Sequence, residues 1–135
     1  MNYLLDTNIC IYIINKKPHA VIKRLRRDPP GDMAISSLTI AELSYGAEKS
    51  RYPDRNRIAL LEFLFPFAIL DFDSSAAADY GRIRHFLETA GEPIGPMDLL
   101  LAAQATSRNL VLVTNNESEF KRVPRLRVEN WARSA

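Results

Sequence analysis

The chain has 135 residues, 47% of them hydrophobic and 25% charged, which suits one domain (residues 1–135) around one core and excludes a disordered or fibrous protein. No apolar run of about 18 residues is available to span a bilayer, no basic segment leads into an apolar stretch and cleavage site, and Cys10 is the only cysteine. The expectation is a reduced, cytoplasmic protein without membrane contact, disulfide or cysteine-rich zinc site, with Cys10 buried as a small hydrophobe in ICIYII.

Residues 2–6 (NYLLD) read as a short buried strand that ends on Asp6. Residues 8–15 and 19–28 read as helices, separated at Pro18 and closed by Asp28-Pro29-Pro30-Gly31. Residues 33–37 (MAISS) are a second strand, followed by helices over 40–50 and 54–65, the second ending near Pro66. Residues 68–72 (AILDF) are a third strand, and 74–90 form a long helix that stops before Gly91. Residues 96–108 are helical, 110–114 (LVLVT) are a strand, and 126–129 (LRVE) are a last short one. Short apolar strands alternating with amphipathic helices imply an α/β fold: a three-layer αβα sandwich with a mostly parallel central sheet and right-handed crossovers. LVLV lacks polar alternation, as a sheet covered on both faces requires.

In such a sheet the carboxyl ends of the strands and the amino ends of the following helices share one rim, where α/β folds place their sites. Asp6 ends the first strand. Glu42 lies in the first turn expected after MAISS, and Asp98 in the first turn of GPMDLLLAAQA. Asn115, Asn116, Glu117 and Glu119 follow LVLVT. Each has an ordinary structural reading beside the functional one. Asp6, Thr7 and Asn8 suit a turn or helix cap. Thr39-Ile40-Ala41-Glu42 suits a capping box. Gly95, Pro96 and Asp98 suit the N-cap, N1 and N3 positions of a helix. Asn115 and Asn116 suit a turn. Four polar clusters on one sheet edge exceed what capping needs.

Three carboxylates brought together repel, and must take up protons or bind a cation. An oxygen-only ligand set suits Mg²⁺, or Mn²⁺, rather than zinc or copper. Such a site activates water and stabilises the charge that develops on a phosphodiester.

At these residues the chain resembles the VapC-type PIN-domain toxins, metal-dependent ribonucleases of bacterial toxin–antitoxin pairs. LLDTNICIYII, ISSLTIAELSYGAEKS, PIGPMDLLLAAQA and LVLVTNNESEFKRVPRLRVENW carry the resemblance over nearly the whole chain. It implies a PIN-like sandwich whose Asp6, Glu42 and Asp98 hold one Mg²⁺ or Mn²⁺ tightly. Many PIN domains have an Asp just after the last motif strand. The neutral Asn116 stands there, and Glu119 is the candidate to supply the carboxylate, the ordinary reading being a surface Glu beside buried Phe120. Thr114 and Asn115 are candidates to brace the rim or hold a phosphate. The resemblance further implies an endoribonuclease that cuts structured RNA, with tRNA and the anticodon region of initiator tRNA as the expected target; in-line attack by a metal-activated water is expected to leave 5′-phosphate and 3′-hydroxyl ends. It implies a VapB-like antitoxin, homodimerisation within a larger complex, and contact with operator DNA only through the antitoxin.

The remaining features are less specific. The formal charge of +2 would leave about +5 outside an acidic site that held three carboxylates. Basic clusters (Lys23, Arg24, Arg26 and Arg27; Arg51, Arg55 and Arg57; Arg82 and Arg84; Lys121, Arg122, Arg125 and Arg127) are solvated faces or phosphate contacts. His19 and His85 fall away from the rim and read as surface or structural residues, which argues against metal-free cleavage by acid–base histidines. FLFPF (63–67) and the Tyr45–Tyr52 region read as core, with an apolar docking surface as the alternative. A haloacid-dehalogenase-type phosphatase would need a second Asp where Asn8 stands, and a receiver domain would need paired acids after the first strand. The surviving alternative is a catalytically weak module that acts through antitoxin binding and operon autoregulation.

Overall fold

The computed structural model describes residues 1–133. The elements run β1 (Tyr3–Leu5), α1 (Thr7–Asn15), α2 (His19–Leu25), β2 (Met33–Ser36), α3 (Ser37–Glu48), α4 (Pro53–Leu64), β3 (Ala68–Leu70), α5 (Ser74–Thr89), α6 (Pro96–Ser107), β4 (Val111–Val113), α7 (Glu117–Phe120) and β5 (Val128–Glu129). A 3₁₀ turn at Pro30–Asp32 precedes β2. The strands form one sheet in the order β3-β2-β1-β4-β5, and all four pairings are parallel. The expected αβα sandwich is therefore present.

Strand alternation divides the core into two layers. Leu4, Ala34 and Leu112 point to one face, where they meet Ile83 and Leu87 of α5, Leu99, Leu101 and Ala102 of α6, and Phe120. Leu5, Ile35 and Val113 point to the other, against Ile9 and Cys10 of α1, Val21 of α2, and Trp131. Leu4, Leu5, Ile35, Leu112 and Val113 are fully buried, each stabilising the fold by about 1.5–3 kcal/mol relative to an exposed side chain. Burial on both faces explains why the strands show no polar alternation.

β1 is the switch point. The chain moves from β1 to β2 and β3 on one side, then crosses to β4 and β5 on the other. α1 leaves the end of β1 toward one face, and Phe120 of α7 packs on the opposite face after β4. A crevice opens between such diverging connections.

Several boundaries differ from the sequence reading. The helix expected over 19–28 ends at Leu25, and the last strand is confined to Val128–Glu129. α3 begins at Ser37, directly after β2, so Glu42 lies in the second turn and not the first. The capping box does not form: Ser36 is the N-cap, accepting from the Leu38 amide at 3.0 Å, and Thr39 is buried in the helix. Phe63, Leu64 and Phe67 pack on the core as expected, but Tyr45, Tyr52 and Phe65 are exposed, Phe65 to 90%. Tyr45 is on the exposed side of α3, whereas Tyr52 and Phe65 stand at the two ends of α4, as its N-cap and C-cap. Among the described residues, no helix is long and apolar enough to cross a membrane.

Candidate active site

Asp6 follows β1 and N-caps α1. Its Oδ1 accepts from the Ile9 amide at 2.9 Å, and its Oδ2 accepts from the Thr114 hydroxyl at 2.5 Å. Asp6 is 5% exposed, and this burial raises its pKa. The Thr114 and Ile9 hydrogen bonds oppose that shift, and the charge of Glu42 adds to it. The same residue thus serves as a helix cap and as a rim carboxylate.

Glu42 reaches the rim from the second turn of α3. The Thr7 hydroxyl donates to its Oε1 at 2.6 Å and lies 3.3 Å from the Thr39 hydroxyl. Thr7 is the first residue of α1, so capping of that helix by Asp6 carries Thr7 to Glu42. Asn8 is exposed.

Asp98 lies in the first turn of α6, after an N-cap at Gly95 and Pro96 at N1, as the sequence predicts. Desolvation raises its pKa to about 6, with the charges of Glu119, Asp6 and Glu42 adding to the rise. The Asn116 side-chain amide, 3.4 Å from its Oδ2, opposes the shift. Carboxylates from the end of β1, from α3 and from α7 therefore all act electrostatically on Asp98 in α6.

Asn116 and Glu119 are joined to each other. Asn116 Nδ2 donates to Glu119 Oε2 at 2.7 Å, and the Gly95 amide donates to Glu119 Oε1 at 2.7 Å. These two bonds hold the Glu119 carboxyl below its usual range. Glu119 is thereby tied to the start of the Asp98 helix, and the exposed-surface reading does not hold. Asn116 is also fixed at its backbone, where its amide donates to the Thr114 hydroxyl at 2.9 Å. Asn115 turns away, donating to the Tyr12 hydroxyl at 3.0 Å and accepting from Asn130 at 3.2 Å. His19 and His85 are exposed, and Cys10 is buried. Burial pushes the Cys10 thiol well up, with Asp6 adding to the effect, so it stays protonated.

Among the described residues, no three His, Cys, Asp or Glu side chains stand close enough to enclose an ion as they are placed. Each carboxylate is turned instead toward a protein donor: Asp6 to Thr114, Glu42 to Thr7, and Glu119 to Gly95 and Asn116. The donor chemistry still fits a hard cation. The candidate ligating atoms are all oxygens, the rise at Asp98 is what a cation would relieve, and Mg²⁺ needs only one or two carboxylates beside its waters.

The PIN domain family model matches residues 3–126. The tRNA(fMet)-specific endonuclease VapC of Shigella flexneri is 46% identical over 132 residues, 98% of this chain and 99% of the relative. Ribonuclease VapC2 of Haemophilus influenzae (strain Rd) is 47% identical over 131 residues, 97% of this chain and 98% of the relative. A chain in the crystal structure of DNA-bound VapBC from Salmonella typhimurium superposes with a TM-score of 0.91 at 44% identity, over 97% of this chain and 98% of that one. The chain belongs to the VapC-type PIN-domain ribonuclease toxins.

In this VapC-type chain, connectivity places Asp6, Asp98, Asn116 and Glu119 together on one rim. Glu42 joins them from a position one turn deeper than its spacing suggests. Thr7 as the partner of Glu42, and the Gly95 amide as the partner of Glu119, carry no motif of their own. The only sequence signal for Thr7 is its place beside Asp6.

Proposed function

We propose that this protein is a Mg²⁺-dependent endoribonuclease toxin that cuts structured RNA, with tRNA as the substrate and the initiator anticodon region as the expected target. The carrying observation is the convergence of four carboxylates on one rim, where burial and then the charges of Glu119, Asp6 and Glu42 lift Asp98 to about 6. Relatives named as tRNA(fMet)-specific endonucleases support the substrate.

In this reading Asp6 and Asp98 hold the metal, with Glu42 binding directly or through water. Glu119 supplies the fourth carboxylate and Asn116 orients it. Held there, a Mg²⁺ ion would supply water activation and charge compensation at the phosphodiester. Thr114 and Thr7 hold Asp6 and Glu42 in fixed rotamers, so that little reorganisation is needed when substrate arrives. Asn116, a donor that lies between Asp98 and Glu119, reduces their repulsion in the metal-free chain. Products carry 5′-phosphate and 3′-hydroxyl ends.

A VapB-like antitoxin is the proposed partner. Complexes named VapBC in Salmonella typhimurium and Rickettsia felis, both crystallised with DNA, support a toxin held by its antitoxin, with operator DNA reached through that partner. A groove of about 650 Å³ between α1, α3 and α4, lined by Ile11, Ile14, Leu43 and Tyr45, begins beside Thr7 and Glu42 and suits an apolar antitoxin segment. A homodimer within that complex and a cytoplasmic location complete the reading.

The test uses purified chain, total tRNA and Mg²⁺, with and without EDTA, and compares wild type with Asp6→Ala. Cleavage that requires Mg²⁺ and Asp6 and leaves 3′-hydroxyl ends supports the reading. Equal activity in the two proteins, or EDTA-resistant cleavage to a 2′,3′-cyclic phosphate, overturns it.

A further inference from the structure

A second groove, of about 790 Å³, lies between α2 and the segment after β5. Its walls include Lys23, Arg24, Arg27 and Arg133, set against the carboxylates of Glu117 and Glu129. The cations are of two kinds. Arg24 is committed to structure: it donates to Asp28 at 2.8 Å and to the Tyr3 hydroxyl at 3.0 Å, and lies 4.5 Å over the Trp131 ring. Arg133 pairs with Glu117 at 2.5 Å. Lys23 and Arg27 are exposed and have no ion-pair partner among the described residues. They stand four residues apart, Lys23 on α2 and Arg27 in the turn after it.

The groove continues the acidic rim. Asn130, in its wall, donates to Asn115 at 3.2 Å and to Glu117 at 3.1 Å. The neighbouring Asn116 donates to Glu119 and lies 3.4 Å from Asp98. β5 stands two strand positions from β1, and Glu117 and Asn130 carry the groove's wall to the segment that follows β4. The aromatic side chain in the wall, Trp131, is 4% exposed and already covered by Arg24, so no base stacks on it.

We propose that this groove is a phosphate track for RNA, and that Lys23 and Arg27 grip the substrate backbone on the β5 side of the cleavage point. The proposal rests on the nuclease reading and deepens it. It assigns a sequence-independent contact, made to the charged backbone and not to base edges. The placement favours RNA over an acidic peptide, because Asn130 and Glu117 join this groove to the segment that carries Asn116 and Glu119 at the acidic rim.

The test is fluorescence anisotropy of a labelled synthetic RNA hairpin with full-length protein in EDTA, over a series of KCl concentrations. Two lost phosphate contacts predict that Lys23→Ala/Arg27→Ala lowers the slope of log K against log salt by about 1.4–1.8. The control Lys16→Ala/Arg26→Ala removes the same charge from a different groove, bordered by Ile13 and Ile22, and is expected to keep the wild-type slope. Both pairs are exposed, so thermal melts are expected to stay within about 2 °C of wild type. An unchanged slope in Lys23→Ala/Arg27→Ala overturns the proposal. So does an equal fall in both pairs, or lost binding to the cognate antitoxin with RNA binding intact. Mg²⁺-dependent cleavage of the same hairpin by wild type tests the nuclease reading separately, since the salt slopes are measured without metal.

Discussion

Thr7 donates its hydroxyl hydrogen to Glu42 at 2.6 Å, joining residues 35 positions apart. Capping of α1 by Asp6 places Thr7 for this bond, so one rim carboxylate positions the support of another. In Thr7→Val the β-branched shape is kept and the donor is lost. Activity and Mg²⁺ affinity are each expected to fall about 10-fold or more, the scale for a partner that orients a metal ligand. Thr7→Ser is expected to restore most of both. Steady-state cleavage and a Mg²⁺ titration of the two variants check this. Wild-type values for Thr7→Val would show that Glu42 needs no such support.

The raised pKa of Asp98 predicts how metal-free stability varies with pH. Asp98 titrates near 6 in the fold against an ordinary 3.8, so between these values the folded chain keeps a proton that the unfolded chain has released. Stability therefore falls as pH rises through that window and levels off above it. Asp6, also raised, acts in the same direction. Glu119, lowered, contributes stability that is present above its ordinary value of 4.5 and lost as pH falls through its lower folded value. Asp98→Asn is expected to abolish cleavage and to flatten the pH slope. At pH 7 in EDTA it should be more stable than wild type by about 1 kcal/mol, a figure discounted for the solvent exposure of this residue. Melts across pH 4.5–8 decide the matter, and a variant less stable than wild type at pH 7 would contradict the burial and charge crowding assigned to Asp98.

Asn116 keeps the rim one charge short. In Asn116→Asp the donor to Glu119 is lost and a new carboxylate arrives beside Asp98. The metal-free variant is expected to melt several degrees lower near pH 7. The same added charge makes cation binding more favourable, so the rise in melting temperature on adding Mg²⁺ should exceed that of wild type. Differential scanning fluorimetry in EDTA and in Mg²⁺ tests both signs. An unchanged metal-free melt would mean that Asn116 is not close enough to Asp98 for charge there to matter.

The fold was legible because short, mostly apolar strands alternate with helical segments along the chain. Asp6, Asp98 and the 114–119 segment follow because parallel connectivity sends every strand end to one rim. Glu42 was harder to place: its helix starts at Ser37, so the capping box suggested by Thr39 and Glu42 was a local pattern that Ser36 displaced. The exposure of Tyr45, Tyr52 and Phe65 was hidden for a related reason, since apolar composition says neither which side of a helix meets the sheet nor where the helix ends that carry Tyr52 and Phe65 fall. The contacts of Thr7 with Glu42 and of Gly95 with Glu119 depend on loop paths between elements distant in sequence, and no local spacing encodes them.

Gly95 separates the folding role of the α6 start from its role at the site. An added Cβ would lie 3.6 Å from Asp98 Oδ2 and 3.7 Å from Glu119 Oε1, which is ordinary contact, and the Gly95 φ of −57° suits any residue. Gly95→Ala should therefore fold, losing about 1 kcal/mol or less from the poorer N-cap. The methyl group would nevertheless stand between two carboxylates and take the space of water that a Mg²⁺ ion keeps in its shell. Mg²⁺ affinity is expected to drop about 10-fold while the metal-free melt moves by only a few degrees. Calorimetric titration of Mg²⁺ into the folded variant measures this directly. Retained affinity would place the ion away from the gap between Asp98 and Glu119, and would leave Asp6 and Glu42 as its principal holders.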